Sequence, residues 1–520
     1  MTPPPADREG GADRWLVAAF VVLAIATSAP IWIAKYLPLL DLPNHLAAVA
    51  VWHYHDDPRW DFARFYELNL VPLPYWAHYY TVHLLTYVTH SVEVANKIFL
   101  TIYALALPLG ALAFARRFGR SPWLALFAFP LVWNFNLGDG FIAYCAGFAA
   151  VPLALVVVDR HAERPSWRGA LAVAATGTLI YFFHLLAYVL FLVCAGLVVL
   201  AQRRPLSPRL LLARAAPVLS CAGIGAWALR HANSMNFHRV TGVGRELIYD
   251  PVAGRLQQIP DRLINFLPGR IDECVLVVLV ASWLALAVSA ARHSAAPTVE
   301  PRGRGLHGWG VELCMLAALA LYLGVPRSMQ RPFYWHMING RFVVAIALFS
   351  ALMLRGAVVG WRRLLFAPVV VATLVYMLAL SSAFREFNRH AAGFDEVVAH
   401  IPRGKQVLTL ILRPMGDSTV NVSAFNQWPS YVQLRHGGYN FYNFAEGFPL
   451  RYRVQLPAPT WSHAEEFSWS QHAYGWDYFL TFREGWQYSP MREPLAEGKV
   501  RLVAESGPWR LYQKIATAER

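Results

Sequence analysis

A carboxylate and an imidazole four residues apart are the first groups in this sequence with the makings of a reaction centre: Asp41 and His45, in Asp41-Leu42-Pro43-Asn44-His45. Pro43 suits the first turn of a helix with Asp41 as its N-cap, which sets Asp41 and His45 on neighbouring turns of one face. A carboxylate held beside an imidazole serves as a general base or as part of a metal site. Equally, Asp41 is a helix cap and His45 an interfacial residue, and spacing alone leaves both readings open. Farther along, His53-Tyr54-His55-Asp56-Asp57 supplies a tight acidic pair, Asp56 and Asp57. Asp139, in Asn134-Phe135-Asn136-Leu137-Gly138-Asp139-Gly140, is the next candidate. With Asp41 it would divide base and orienting roles, unless Gly-Asp-Gly is an ordinary turn.

Arginines form the complementary group. Arg239, Arg245, Arg255, Arg262 and Arg270 fall in one polar stretch, and Arg327, Arg331 and Arg341 in another. The planar guanidinium matches phosphate with a fork of donors, so the set suits a phosphate-bearing ligand. Any one of them also suits a headgroup contact or a surface ion pair. His184, in Tyr181-Phe182-Phe183-His184, lies between two apolar stretches, where it lines a cavity or is a satisfied interfacial histidine.

The elements that must position these groups are membrane helices. Hydrophobic residues make up 56% of the 520-residue chain and charged residues 15%. A water-soluble globule keeps about a quarter of its residues charged, so lipid solvates much of this one. A span needs about 20 apolar residues. The first runs from about Trp15 to Ile33; the others lie near 93–115, 122–136, 141–158, 169–183, 185–201, 210–229, 273–291, 310–325, 342–359 and 364–382. The expectation is a mainly α, polytopic membrane protein of about 11 spans, with segment 75–90 as a partly embedded helix. Arg116, Arg117 and Arg120 form one basic cluster; Arg160, Arg164 and Arg168 another; Arg203, Arg204 and Arg209 a third. Arg292, Arg302 and Arg304, then Arg355, Arg362 and Arg363, continue the series in every second loop. By the positive-inside rule those loops and the N-terminus are cytoplasmic, which places Asp41, Asp139 and the eight arginines named above outside a bacterial inner membrane.

The chain divides into a transmembrane module, 1–382, and a small extracytoplasmic α/β domain, 383–520. In the latter, Phe384–His400 has helical periodicity, while Gln406–Leu412, Trp476–Thr481, Val500–Glu505 and Trp509–Gln513 read as strands. The net charge of +14 sits in short clusters between apolar stretches and does not indicate nucleic acid. No P-loop, G-x-S-x-G, H-E-x-x-H or dinucleotide fingerprint is present. The five cysteines lie in or beside apolar stretches and offer no disulfide framework.

In this setting the sequence resembles the GT-C superfamily of membrane glycosyltransferases, on the branch of lipid A aminoarabinose transferases and protein O-mannosyltransferases. Asp41 soon after the first span, Pro72-Leu73-Pro74-Tyr75-Trp76 leading into a helix, and Ala95-Asn96-Lys97 before a span ending Ala115-Arg116-Arg117-Phe118-Gly119 carry the likeness. Asn339-Gly340-Arg341-Phe342 opens a later span in a similar way. The resemblance implies transfer of a hexosyl or pentosyl group from a polyprenyl-phosphate donor to an extracytoplasmic glycan, lipid or protein acceptor. Asp41, with Asp139 and His45, would be catalytic. Arg239, Arg245, Arg255, Arg331, Arg341, Asp56, Asp57 and His184 would bind substrate. Some relatives use a divalent metal, for which Asp41, His45, Asp56 and Asp57 carry suitable donors. A non-catalytic relative that binds or presents a lipid-linked glycan is the alternative. A transporter would need ionisable residues at mid-membrane, and few are present.

Overall fold

In the computed structural model the chain is described at residues 14–71, 73–202, 207–231, 247–293, 306–330, 335–356, 358, 360–412, 419–445, 449–459, 464–485 and 488–515. The architecture is mainly helical. The longer helices are α1 (Arg14–Ile33), α2 (Leu42–His53), α3 (Trp76–Thr89), α4 (Val92–Arg117), α5 (Ile142–Glu163), α6 (Trp167–Phe183) and α7 (Leu185–Leu200). They continue with α8 (Pro208–His231), α9 (Ile271–His293), α10 (Gly310–Gly324), α11 (Val343–Leu352), α12 (Ala367–His390) and α13 (Pro429–His436). Among the described residues, six helical segments are long and apolar enough to cross a membrane, containing or matching α1, α4, α5, α8, α9 and α12. α7, α10 and the segment Asn339–Leu352 are apolar but shorter. The chain is a multi-pass membrane protein, although the eleven apolar stretches are not eleven long helices.

The largest departure is the stretch 122–136. It forms 3-10 turns, Pro122–Ala128 and Pro130–Val132, where a continuous helix was expected. Pro130 has no backbone N–H to give to an α-helical ladder. The segment follows the length of α12, with Trp123 against Phe366 at 5.5 Å and Trp133 against Phe384 at 5.3 Å. It also touches α1, where Trp133 Nε1 donates to Thr27 O at 2.9 Å. A 3-10 helix rises about 2 Å per residue, so eleven residues cover roughly 20 Å. Every residue from Trp123 to Asn134 is buried, the condition under which irregular backbone persists at membrane depth.

The helices pack closely where small residues allow it. A Cβ on Gly110 of α4 would lie 3.2 Å from the Ala149 carbonyl of α5. Ser91 caps α4 by accepting from Val94 N, with Glu93 in the first turn and Arg116 and Arg117 in the last, as the helix dipole favours. At that last turn Arg117 pairs with Asp159 and Glu163, and Arg120 and Arg355 both bind Glu312.

The C-terminal part holds a four-stranded sheet in the order β4-β6-β8-β7: β4 (Val407–Ile411), β6 (Tyr478–Phe482), β8 (Trp509–Lys514) and β7 (Val500–Ser506). β4 and β6 pair in parallel and are buried throughout, and the other pairings are antiparallel. Phe394, Phe425, Trp428, Phe482 and Trp509 pack as one aromatic layer against this sheet. The part is not separate from the bundle. α12 runs unbroken to His390, and β1 (Tyr66–Leu68), from the segment after α2, pairs with β5 (Leu450–Tyr452). β2 (Leu247–Ile248) and β3 (Ser328–Met329) make a separate two-residue ladder. Buried side chains also join α2 to α13: Asn44 donates to Gln427 at 3.0 Å and accepts from Ser430, and Asn440 donates to Ser430 at 2.8 Å.

Candidate functional site

α2 begins where its sequence predicts, with Asp41 at the N-cap position and Pro43 in the first turn. The Asp41 side chain does not cap, however. Its backbone is helical (φ −88°, ψ −4°) and its carboxylate makes no hydrogen bond to the helix N–H groups. Asp139 stands at the end of a short helix, Phe135–Gly138, which Asn134 caps by accepting from the Asn136 and Leu137 N–H groups.

The two carboxylates meet because the Gly138–Gly140 turn lies on the start of α2. Leu40 N donates to Gly138 O at 2.9 Å. Gly140 has φ +84°, and a Cβ there would fall 2.5 Å from Asp41 N. Only glycine admits both that conformation and that approach. His45 fastens the turn: its Nε2 is 3.1 Å from Gly140 O and its Nδ1 2.8 Å from the Tyr79 hydroxyl. With Nε2–H donating to the carbonyl, Nδ1 accepts from Tyr79. Burial, with a smaller push from His78, lowers the imidazole to about 3 against the opposing Gly140 contact, so it is neutral. Both nitrogens are spent, which makes His45 a clamp on the turn in place of the catalytic residue that the resemblance implied.

Burial pushes Asp41 up to about 7; the charge of Asp139 adds to the rise and Arg341 opposes it. Burial likewise pushes Asp139 up to about 7, against Arg262 and Arg341. Asp41 keeps partial exposure, whereas Asp139 is 8% exposed. Among the described residues neither carboxylate takes a hydrogen bond or an ion pair. Both are held in reserve near neutrality, where a general base works best.

Arg341 lies in the 3-10 turn Asn339–Phe342 and is 4% exposed. Its guanidinium sits 3.8 Å from the Phe141 ring centroid, two residues beyond Asp139. Its Nη1 is 2.7 Å from His184 Nε2, which is also 3.1 Å from the Tyr75 hydroxyl. His184 Nδ1 accepts from Leu186 N at 3.0 Å and so caps α7. A neutral imidazole has one acceptor nitrogen, so this cap leaves the Arg341 guanidinium with donors to spare. Its Nε has no partner among the described residues. Arg262 stacks on Phe135 at 4.9 Å, and its Cδ would lie 3.4 Å from a Cβ on Gly340, the neighbour of Arg341. The arrangement is two unspent carboxylates facing two guanidiniums, the pieces needed to accept a proton and to stabilise an anion.

Of the other expected residues, His184 belongs to this group through Arg341. Arg255 does not. Its guanidinium is buried against the Asp250, Tyr322, Leu323 and Val325 carbonyls, satisfying the end of α10. Asp56 is exposed beside His55, and Asp57 is held by Arg59 at 2.6 Å. Arg239, Arg245 and Arg331 lie outside the described residues. Asp41, His45, Asp56 and Asp57 do not assemble as ligands: among the described residues no group of three or more His, Cys, Asp or Glu side chains could hold a metal ion. Residues that sequence reasoning did not single out are Tyr75, Tyr79 and Asn136. The last is 1% exposed, and neither of its amide atoms has a partner among the described residues.

No family model matches the sequence, and no curated protein sequence does. Solved structures do. The crystal structure of ArnT from Cupriavidus metallidurans bound to undecaprenyl phosphate aligns over 98% of this chain and 99% of its own, with a TM-score of 0.52 and 12% identity. The apo form of ArnT from the same organism aligns over 96% and 98%, with a TM-score of 0.53 and 10% identity. At that identity the likeness is one of fold, and it extends over nearly the whole of both chains. The chain shares the fold of these two ArnT structures.

Proposed function

We propose that this chain is a membrane glycosyltransferase that moves a sugar from a polyprenyl-phosphate donor to an acceptor outside the cytoplasm. The observation that carries the proposal is the meeting of Asp41 and Asp139 with Arg262 and Arg341 at one end of the helical bundle. The similarity in fold to a protein solved with undecaprenyl phosphate makes a lipid phosphate the fitting ligand for those guanidiniums. Arg117, Arg120, Arg355 and Arg362 gather at the far end of the same helices, which supports a cytoplasmic position for that end and an outward one for Asp41. The short apolar helices and the buried 3-10 segment then complete a set of about 11 crossings. The sheet of the C-terminal part lies outside.

In this mechanism an acceptor hydroxyl or amine attacks the anomeric carbon of the donor. Asp41 takes the acceptor's proton as the new bond forms, and Asp139 orients the nucleophile. The bond between anomeric carbon and phosphate oxygen breaks, and its electron pair stays on the phosphate. Arg341, with Arg262 beside it, balances the charge that develops there. No residue of this set needs a metal for that role, and hexosyl and pentosyl donors fit it equally.

Binding tests the donor half directly. Titration of the purified full chain in nanodiscs with undecaprenyl phosphate should show saturable binding, weakened about tenfold or more by Arg341→Gln. Absence of binding by the folded wild type would remove the lipid-phosphate donor from the proposal.

A further inference from the structure

At the end of the bundle opposite Asp41 the structure contains a concave site unrelated to the carboxylate pair. It is a shallow, partly open depression between the 3-10 segment that starts at Pro122, the end of α9 and the chain leaving α11. Its floor is apolar, formed by Leu124, Leu286, Leu354 and Val358. Its rim carries Arg355 and Arg362. Arg362 is held in place by Ser289, donating through Nε to the hydroxyl at 3.0 Å and through Nη2 to the carbonyl. Arg355 is held by Glu312 at 2.9 Å and by the Gly308 carbonyl at 3.1 Å, and lies 4.3 Å from the Trp309 ring centroid.

Charge and surroundings say what would fill it. Arg120 and Arg355 share Glu312, and Arg355 and Arg362 line the same depression, so guanidiniums outnumber the one carboxylate bound there and an anion is favoured. Next to the rim, Trp361 is 60% exposed and Leu364 71% exposed, flanking Arg362 and Arg363 in the turn Gly360–Phe366. Outward Trp and Leu flanking a pair of Arg are the signature of a segment at the boundary between acyl chains and headgroups. An apolar floor under a basic rim at that depth matches a lipid with an anionic head.

We propose that this depression binds one anionic phospholipid, with its phosphate on Arg355 and Arg362 and the start of an acyl chain over the Leu124, Leu286, Leu354 and Val358 floor. The bound lipid would tie α9, α11 and α12 together at the face away from the transferase site, independently of whether that site is catalytic. Free inorganic phosphate shares the head chemistry and lacks the tail.

Native mass spectrometry of the purified full chain tests this, with phosphatidylglycerol, phosphatidylcholine and inorganic phosphate offered separately at equal concentration. The expected result is one retained phosphatidylglycerol, with no retained phosphatidylcholine and no phosphate adduct. Arg362→Gln should reduce retention about fivefold, the effect of removing one positive charge near a lipid headgroup. Because Arg355 and Arg362 both contact the protein, Leu286→Phe provides a second variant that fills the floor and leaves the rim charges intact. It should also displace the lipid. Equal retention of both phospholipids, retention of phosphate alone, or unchanged retention in both folded variants would overturn the proposal.

Discussion

Among the described residues Asp41 and Asp139 have no hydrogen-bond or ion-pair partner, and burial presses both toward the neutral form. Their folded pKa of about 7 lies above the ordinary value of 3.8. Such a group contributes stability that is fully present below pH 4 and is lost as pH rises through 7, because the folded state holds the proton longer than the unfolded one. Activity runs the other way, since the base must be deprotonated. Turnover is therefore expected to rise with pH through about 7 while thermal stability falls over the same interval, and parallel rate and unfolding profiles would show it. Asp41→Asn should cost about 10²–10⁴ in rate, as loss of a general base does. At pH 8 it should raise stability by about 1–2 kcal/mol, allowing for the partial exposure of the site. Arg341 holds both carboxylates down, so Arg341→Gln should also move the midpoint of any residual rate profile to higher pH. A midpoint that stays put would mean that Arg341 does not face the working carboxylate.

The residue-scale site was partly legible in the sequence. Asp41 and Asp139 shared a predicted membrane face, and an arginine facing a phosphate is recognisable by type. What spacing could not supply was which arginine is spent. Arg255 and Arg341 look alike as sequence, yet one satisfies a helix end and the other keeps donors free. His45 misled for a similar reason, since i and i+4 spacing shows that two groups share a face and not which way their hydrogen bonds run.

At the scale of elements, the site depends on a turn more than on a helix. Gly140 brings Asp139 to Asp41, and Gly140→Ala would force a Cβ into the Asp41 backbone at an unfavourable φ. The expected result is a loss of at least about 2 kcal/mol and of activity, visible as a lowered melting temperature. Full stability in that variant would show that the turn can move away from α2. The strands β4, β6, β7 and β8 were legible as short apolar runs, with the Ser506-Gly507-Pro508 turn setting the edge between the last two. The 3-10 segment was not, because hydropathy reports burial and length but not the rise per residue. Pro122 and Pro130 were the available hints.

Over the whole molecule, the C-terminal part acts as a brace for the first loop. Lys35 and Tyr36 both bind Asp395, at 2.7 and 2.6 Å, and Arg435 binds Glu93 through two hydrogen bonds of 2.6 and 3.0 Å. Asn44, one turn beyond Asp41, is wholly buried in the network with Gln427 and Ser430. Asn44→Leu would leave those partners unpaired and should destabilise the protein by about 2–4 kcal/mol, measured by denaturant unfolding. If α2 is held mainly by the bundle, the cost will be under about 1 kcal/mol. Sequence boundaries suggested two modules in series. The pairing of β1 with β5 shows that the segment following the site is woven into the second.

The proposed activity is transfer of a sugar from a lipid phosphate by way of Asp41. Its most direct test is the pool of polyprenyl-phosphate sugars in cells lacking the protein, in cells restored with wild type, and in cells restored with Asp41→Asn. A lipid-linked sugar that accumulates in the deletion and with Asp41→Asn, and falls with wild type, is the expected result. Identical pools in all three strains, with both proteins present and folded, would contradict it.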